Sequence, residues 1–439
     1  MSTKTDNLND LIIPRRLRFK KEKIDTKALL SLCEDIIADK EEDDKNKKYA
    51  RFIKAVCLVE EKEWNLSINE LKKLGYSDYW IYKQKNEQLY ERMICNNLKD
   101  HGIEEDKESE KFGIYFQGSK DIHDCIFEIM DCLIVEKVNL QVSHYTGRNT
   151  VEKLLFEKSL FRMCSMATAN DKSEGKIIYE FLGHPDWYKK EKFQQCFIAC
   201  FTFDANCLNH FRLYGKENEK EATGVSLCFK AGSFDCSISK QLKLKTKEEF
   251  DKDYYISPLF RCLYIYPKED NVELSVASIG HTEYSELKEE SGEHEKKARH
   301  AFLIEEKKEV EENLKKIRKR MDRLKSIINN FMNTTADDEN KRIEIVSRIL
   351  LNLTYMVKHA AFREEQECRL FSIQKLKGAN HIRFCDHSRK MYMEYKLPIN
   401  ELKRITFAPK TSEYLLFKDR LEQEEFENVE CIQSELPIA

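Results

Sequence analysis

The feature that most constrains this chain is a change of hydrophobic period near residue 138. Upstream, apolar residues recur at helical spacing: Leu29-Leu30, Leu32-Cys33 and Ile36-Ile37 form one stripe, and Tyr49, Phe52, Ile53, Val56, Cys57 and Val59 a second. Downstream, runs rich in β-branched and aromatic residues occur at 138–142, 197–203, 225–229, 261–266, 369–373, 382–385 and 404–408, with helix-length segments between them. A period near 3.6 buries one stripe of a helix and a period of 2 buries one face of a strand, so the two textures specify different elements. The pattern predicts an α+β protein, with an all-α N-terminal module over 26–135 and a mixed domain over 138–439.

A helical insertion is expected in the second half, over about 295–356. Val310, Leu314, Ile317, Met321, Leu324, Ile328 and Phe331 alternate steps of four and three, an apolar seam with Lys and Glu on the other faces. The seam can pair two copies of the chain as a homodimer through the 300–332 helix. It can equally pack on the chain's own body, with Ile343, Ile345, Val346, Ile349, Leu350 and Leu353 completing an αα-hairpin about a turn at Asn333–Asn340.

Composition narrows the setting. The 439 residues carry 75 basic and 78 acidic side chains, a formal net charge of -3, so no global field favours nucleic acid or an anionic membrane. Arg15 to Lys21 is locally basic, in an expected flexible arm over 1–25 that suits either an RNA or lipid contact or plain solvation. The cysteine count of 15 is odd, and many thiols sit inside apolar runs, such as Cys57 and Cys228. With no apolar leader at the N-terminus and no run long enough to cross a membrane, the expectation is a reducing cytoplasm, the protein's own or a host's, with no membrane partner.

Two short stretches carry the chemistry. Ser143-His144-Tyr145-Thr146-Gly147 follows the 138–142 strand, and Phe362 to Arg369 places Glu365 and Glu367 two residues apart. On a strand that spacing turns both carboxylates to one face. An imidazole and two acids are costly to bury and useful mainly in a polar cleft.

From residues 49 to 90, an apolar helix, a polar turn, a second amphipathic helix and a Gly75-Tyr76 break resemble one or two degenerate tetratricopeptide-type hairpins. That likeness implies a groove for a partner protein; a plain helical cap fits the same residues. Over about 138–438 the ordered set of short motifs resembles the bacterial family known as domain of unknown function 2971 (DUF2971). The set runs His-Tyr-Thr-Gly, Asn170-Asp171 with Glu174, Cys200-Phe201-Thr202, Tyr214-Gly215, Val357-Lys358-His359 with Phe362, Glu365 to Arg369, Ile405 to Pro409 and Ser434 to Pro437. Phe211 stands where that family commonly has Trp.

The family's elements are similar in turn to the ADP-ribosyltransferase fold of the His-Tyr-Glu type, a split β-sheet that clamps nicotinamide adenine dinucleotide (NAD). The resemblance implies NAD-dependent transfer of ADP-ribose to a protein or nucleic-acid acceptor, in a setting such as a bacterial effector or an anti-phage defence toxin. It implies His144 as ribose anchor, Thr146 as a ribose or turn hydroxyl, and Tyr214 as the ring that stacks on nicotinamide, with Phe211 and Tyr145 as rivals. Glu367 would stabilise the oxocarbenium-like centre and Glu365 orient the acceptor, or the reverse. Asn170 or Glu174 would line the cleft, and Arg148 or Arg162 would meet the pyrophosphate.

Each assignment has a plainer counterpart: His144 satisfied inside a turn, Tyr214 as packing, and the two glutamates as surface charges paired with Arg363 and Arg369. NAD hydrolysis and a non-catalytic scaffold are the competing functions. No metal is expected, since the spacing of Cys196, Cys200, Cys207 and His210 suits no zinc motif and glycine-rich phosphate loops are lacking.

Overall fold

The computed structural model describes residues 26–39, 47, 50, 51, 54, 87–106, 109–135, 140–166, 173–189, 194–217, 220–234, 259–267, 272–279, 293–334, 338–376, 381–385, 390–424, 426 and 428–437. The chain forms two compact units, Met1–Arg92 with Ile238–Leu244, and Met93–Ser237 with Lys245–Ala439. The division falls at Arg92, earlier than the change of texture at 138.

In the first unit, helix α1 (Thr26–Ala38) buries Cys33 and Ile36 against Ala50, and Lys54 bonds Glu34 at 2.8 Å. The basic arm and most of the tetratricopeptide-like stretch lie outside the described residues.

The second unit opens with α2, which spans Glu87–Asp100 and so begins before the division, and α3 (Glu110–Asp131). Ser109 starts α3 as an N-cap, its hydroxyl accepting the Phe112 N–H. Strands β1 (Gln141–Thr146), β2 (Phe161–Ser165), β3 (Gln194–Thr202), β4 (Val225–Lys230), β5 (Phe260–Arg261), β9 (Glu367–Lys375), β10 (Ile382–Phe384), β11 (Met391–Tyr395), β12 (Leu402–Phe407) and β13 (Glu430–Gln433) form one mixed sheet. A second sheet joins β6 (Leu263–Tyr266) to β7 (Glu273–Val276) and β8 (Val357–His359). The α+β expectation holds at this level. The reading missed β2, β7, β8, β11 and β13, which are short or carry charges that break the alternation.

Two helices occupy the stretch where the insertion is expected, α7 (Glu293–Met332) and α8 (Glu339–Thr354), the second capped at Asp338, which accepts the Lys341 N–H. Ile317, Met321, Leu324, Ile328 and Phe331 are buried within the chain's own α3–α7–α8 packing. Phe331 meets Tyr115 edge to face at 5.8 Å, and a Cβ on Gly118 would stand 2.2 Å from the Phe331 ring. Arg320 bonds Glu128 at 3.1 Å across the same contact. The C-terminal half of the seam is therefore covered by this chain and offers no free face to a second copy.

The topology around β3 places the site. β9 pairs with β3 along its whole length, from Gln194↔Lys375 to Thr202↔Glu367. The other edge of β3 is shared: β2 pairs at Phe197 and Ile198, and β1 at Thr202. Between them the sheet is split, and strand polar groups there must find other partners. Registered neighbours share a face, so Ser143, Cys200, Thr202, Glu367 and Arg369 lie on one side of the sheet. The opposite side carries Phe197, Ala199, Phe201 and Leu370 of the apolar core.

Candidate active site

A cavity of about 610 Å³ opens over the split, within the ~300–1,000 Å³ common for small-molecule sites. It brings together residues far apart in the chain: His144 and Tyr145 of β1, Tyr214 after α6 (Leu208–Leu213), Glu365, and Glu367 of β9.

His144 sits inside β1, two residues before the strand ends, rather than in a turn after it. The turn is made by Gly147, where a Cβ would lie 2.8 Å from the Lys216 carbonyl, and α4 (Arg148–Leu155) follows. The His144 Nδ1 lies 2.9 Å from the Cys200 carbonyl, an oxygen exposed by the split. A carbonyl only accepts, so Nδ1 carries the proton and the neutral ring presents Nε2 as an acceptor. Burial lowers the His144 pKa, with the Cys200 bond opposing, and the Phe161 ring meets the imidazole edge to face at 4.8 Å.

Glu365 and Glu367 do not share a strand. Glu365 ends a 3₁₀ turn (Ala360–Glu365), Gln366 is left-handed at φ 43°, and Glu367 is the first residue of β9. The two acids converge because Lys358 of β8 bonds both: Glu367 at 2.7 Å, and Glu365 in a short contact. Glu367 is buried and held bidentately by Arg369, at 2.6 and 3.0 Å, while its N–H donates to the Tyr264 hydroxyl. Arg369 also reaches Glu174 at 2.5 Å and the Tyr355 carbonyl at 2.7 Å.

Burial opposes the Glu367 charge, but Arg369 and Lys358 outweigh it and hold the carboxyl well below the usual carboxylate range. Burial likewise works against Lys358, and Glu367 with Glu365 overcomes it, leaving the ammonium firmly charged. Three carboxylates, Glu174, Glu365 and Glu367, face two cations, Lys358 and Arg369, and leave one negative charge uncompensated in the cluster. Glu365 is the more accessible of the strand-junction pair. Its second oxygen accepts the Tyr214 hydroxyl at 2.8 Å, and burial followed by the Glu365 charge raises the Tyr214 pKa.

The remaining expected residues divide. Tyr145 lines the cavity, but its hydroxyl donates to the Asp204 carbonyl and accepts the Cys207 N–H, and its ring stacks on His210 at 4.9 Å; it shapes the wall. Thr146 pairs with Val225 at the end of β1 and is not among the lining residues. Phe211 is fully buried against Tyr145, which removes it as a stacking ring. Arg148 binds Glu152, Glu217 and Glu413 away from the cavity, whereas Arg162 and Glu174 line it. Asn170 lies outside the described residues. Arg363 pairs with Glu273 and Glu364, so the expected Arg363 partnership with the acids is absent; the Arg369 pairing is present.

Two contributors, His210 and Lys390, are not among the expected site residues, and a third, Arg369, is expected only as a surface partner of the acids. Arg369 was legible as an i, i+2 neighbour of Glu367 on one strand face, but not as its buried counter-ion. His210 lines the cavity, 5% exposed, with no hydrogen-bond partner for its Nδ1 among the described residues; burial lowers its pKa while Asp204 and Glu365 oppose. Lys390 had no signal beyond its charge. Among the described residues, no group of three His, Cys, Asp or Glu is placed to hold a metal, no two cysteines form a disulfide, and no helix is long and apolar enough to cross a membrane.

No family model matches this chain, and no curated protein or solved structure matches it.

Proposed function

We propose that the cavity binds NAD and transfers ADP-ribose to a macromolecular acceptor, with release of nicotinamide. The observation that carries this reading is the convergence of an acceptor imidazole, a half-exposed tyrosine and a net-negative acid cluster on one cavity of nucleotide size. NAD presents a cationic pyridinium and, as its glycosidic bond breaks, an oxocarbenium-like ribose. A fixed carboxylate beside that centre is stabilising in the transition state, where positive charge spreads to the sugar.

Glu365 takes this role in preference to Glu367. Both Glu367 oxygens are committed to Arg369 and Lys358, whereas Glu365 faces the cavity and is oriented by Tyr214 and Lys358. The His144 Nε2 accepts a ribose hydroxyl, and the Tyr214 ring stacks on the nicotinamide. The bond electrons leave with neutral nicotinamide, the acceptor forms the new bond to the ribose carbon, and its proton passes to His210, a neutral base near Glu365. Water as acceptor gives hydrolysis by the same step. The acids point into a cavity rather than to solvent, which favours catalysis over a scaffold.

Purified protein incubated with adenylate-labelled NAD and a bacterial lysate tests the reading. Label on macromolecules with matching nicotinamide release, both lost in Glu365→Gln, is expected. Nicotinamide release with free ADP-ribose alone would make the protein a hydrolase; no release with any lysate would remove the enzymatic reading.

A further inference from the structure

The cavity has a second charged wall with the opposite sign. Arg162 of β2 and Lys390, just ahead of β11, line it on the side of β3 away from Glu367 and Arg369. Arg369 and Lys358 are each held by at least two carboxylates, but Arg162 and Lys390 make no ion pair among the described residues.

Local structure explains why Arg162 has no such pair among the described residues. The registered neighbour of Arg162 on β11 is Glu394, and that carboxylate is taken by Arg383 at 3.0 Å. The Arg162 guanidinium instead lies over the Tyr392 ring, 4.4 Å from its centroid, which orients the plane and leaves its N–H donors without an acceptor among the described residues. Both cations act on the Cys164 thiol between them, opposing the effect of its burial. Two like charges lining one wall of a cavity favour an anion with several acceptor oxygens between them.

We propose that Arg162 and Lys390 form an anion subsite for the diphosphate of a nucleoside diphosphate moiety. This deepens the dinucleotide reading by naming what holds the ligand's charged bridge, while it rests on two cations of one wall that make no ion pair among the described residues, separate from the acid cluster. The cavity is then bipolar, net negative near Glu365 and positive near Arg162, as a pyridinium–diphosphate ligand requires. Arg supplies a forked pair of donors to phosphate oxygens, and Lys a point charge.

The test is calorimetric binding of ADP and of adenosine to the full chain, to Arg162→Gln/Lys390→Gln and to Glu365→Gln. Wild type should bind ADP about tenfold or more tighter than adenosine, as charge-assisted contacts to phosphate imply. The double variant should lose that gap and Glu365→Gln should keep it. Alkylation of Cys164, read by mass spectrometry in the unaltered protein, should be slowed by ADP and not by adenosine, a readout independent of variant folding. Equal affinity for ADP and adenosine in wild type, or an undiminished gap in a folded double variant, would overturn the subsite. ADP bound as expected with no nicotinamide released from NAD would sustain the subsite and remove the NAD reading. NAD turnover with an unchanged KM in the double variant would do the opposite.

Discussion

Replacing Glu367 by Gln should damage stability more than any comparable change at Glu365. Glu367 is buried and anchors two cations, with bonds of 2.6 and 3.0 Å to Arg369 and 2.7 Å to Lys358. Removing one partner of a buried ion pair costs roughly 3–5 kcal/mol, because the remaining charge loses its compensation. Here Arg369 keeps Glu174 and the Tyr355 carbonyl, and Lys358 keeps Glu365 and Glu174, so the low end applies, about 3 kcal/mol. At about 2–4 °C per kcal/mol for domains of this order, the midpoint should fall by about 6–12 °C. Glu365→Gln leaves the Arg369 pairs intact and keeps an oxygen for the Tyr214 hydroxyl, so its cost should stay under about 1 kcal/mol. The assay is thermal melting beside nicotinamide release for both variants. Glu365→Gln should be near wild type in melting and at least about 100-fold slower in turnover, the size of a lost transition-state contact. A Glu367→Gln protein that melts like wild type yet is inactive, with Glu365→Gln active, would refute the division of roles.

Other outcomes follow from the same contacts. The depressed Glu367 pKa means that the unfolded carboxyl takes up a proton first as pH falls. Its stabilisation is complete above about 4.3, the unfolded value, and is lost progressively below it. Acid denaturation should therefore be less steep in Glu367→Gln; an identical profile would contradict the assignment. Lys358, with its pKa raised, loses its contribution only in strong alkali and does not offset that loss. His144 should stay neutral below the ordinary histidine value of about 6.5, so NAD affinity should be flat from pH 8 to about 6.5 and fall only in more acid buffer. His144→Ala should raise KM about tenfold with melting little changed. Gly118→Ala sets a Cβ 2.2 Å from the Phe331 ring, an overpacking cost of about 1–3 kcal/mol that exceeds the ~1 kcal/mol gained in helix propensity. A more stable Gly118→Ala protein would mean that the α3–α7 contact is looser than described.

The elements legible in the sequence are those whose burial is one-sided. The helices α7 and α8 are legible because Ile317, Met321, Leu324 and Ile328 keep a strict seam, although the seam alone does not choose between a second copy and the chain's own body. That choice rests on Gly118, a small residue whose meaning depends on a ring distant in sequence. Strands β3, β4 and β12 were visible as apolar runs; β2, with Arg162 and Cys164 turned into a cavity, and β11 were not. At the site, His144 and the two glutamates stood out by residue type and spacing. Their meeting depends on Lys358 and on a left-handed Gln366, which spacing on an assumed strand does not reveal. Arg369, His210 and Lys390 are ordinary residues in sequence, and the split of β3 between β1 and β2 is what gives them a common cavity.

The most direct measurement is a crystal structure with a carba-analogue of NAD that cannot lose nicotinamide. The ligand should lie in the cavity over the split of β3, its nicotinamide ribose beside His144 and Glu365 and its diphosphate on Arg162 and Lys390. An empty cavity under saturating analogue, or a ligand bound elsewhere on the protein, would contradict the account.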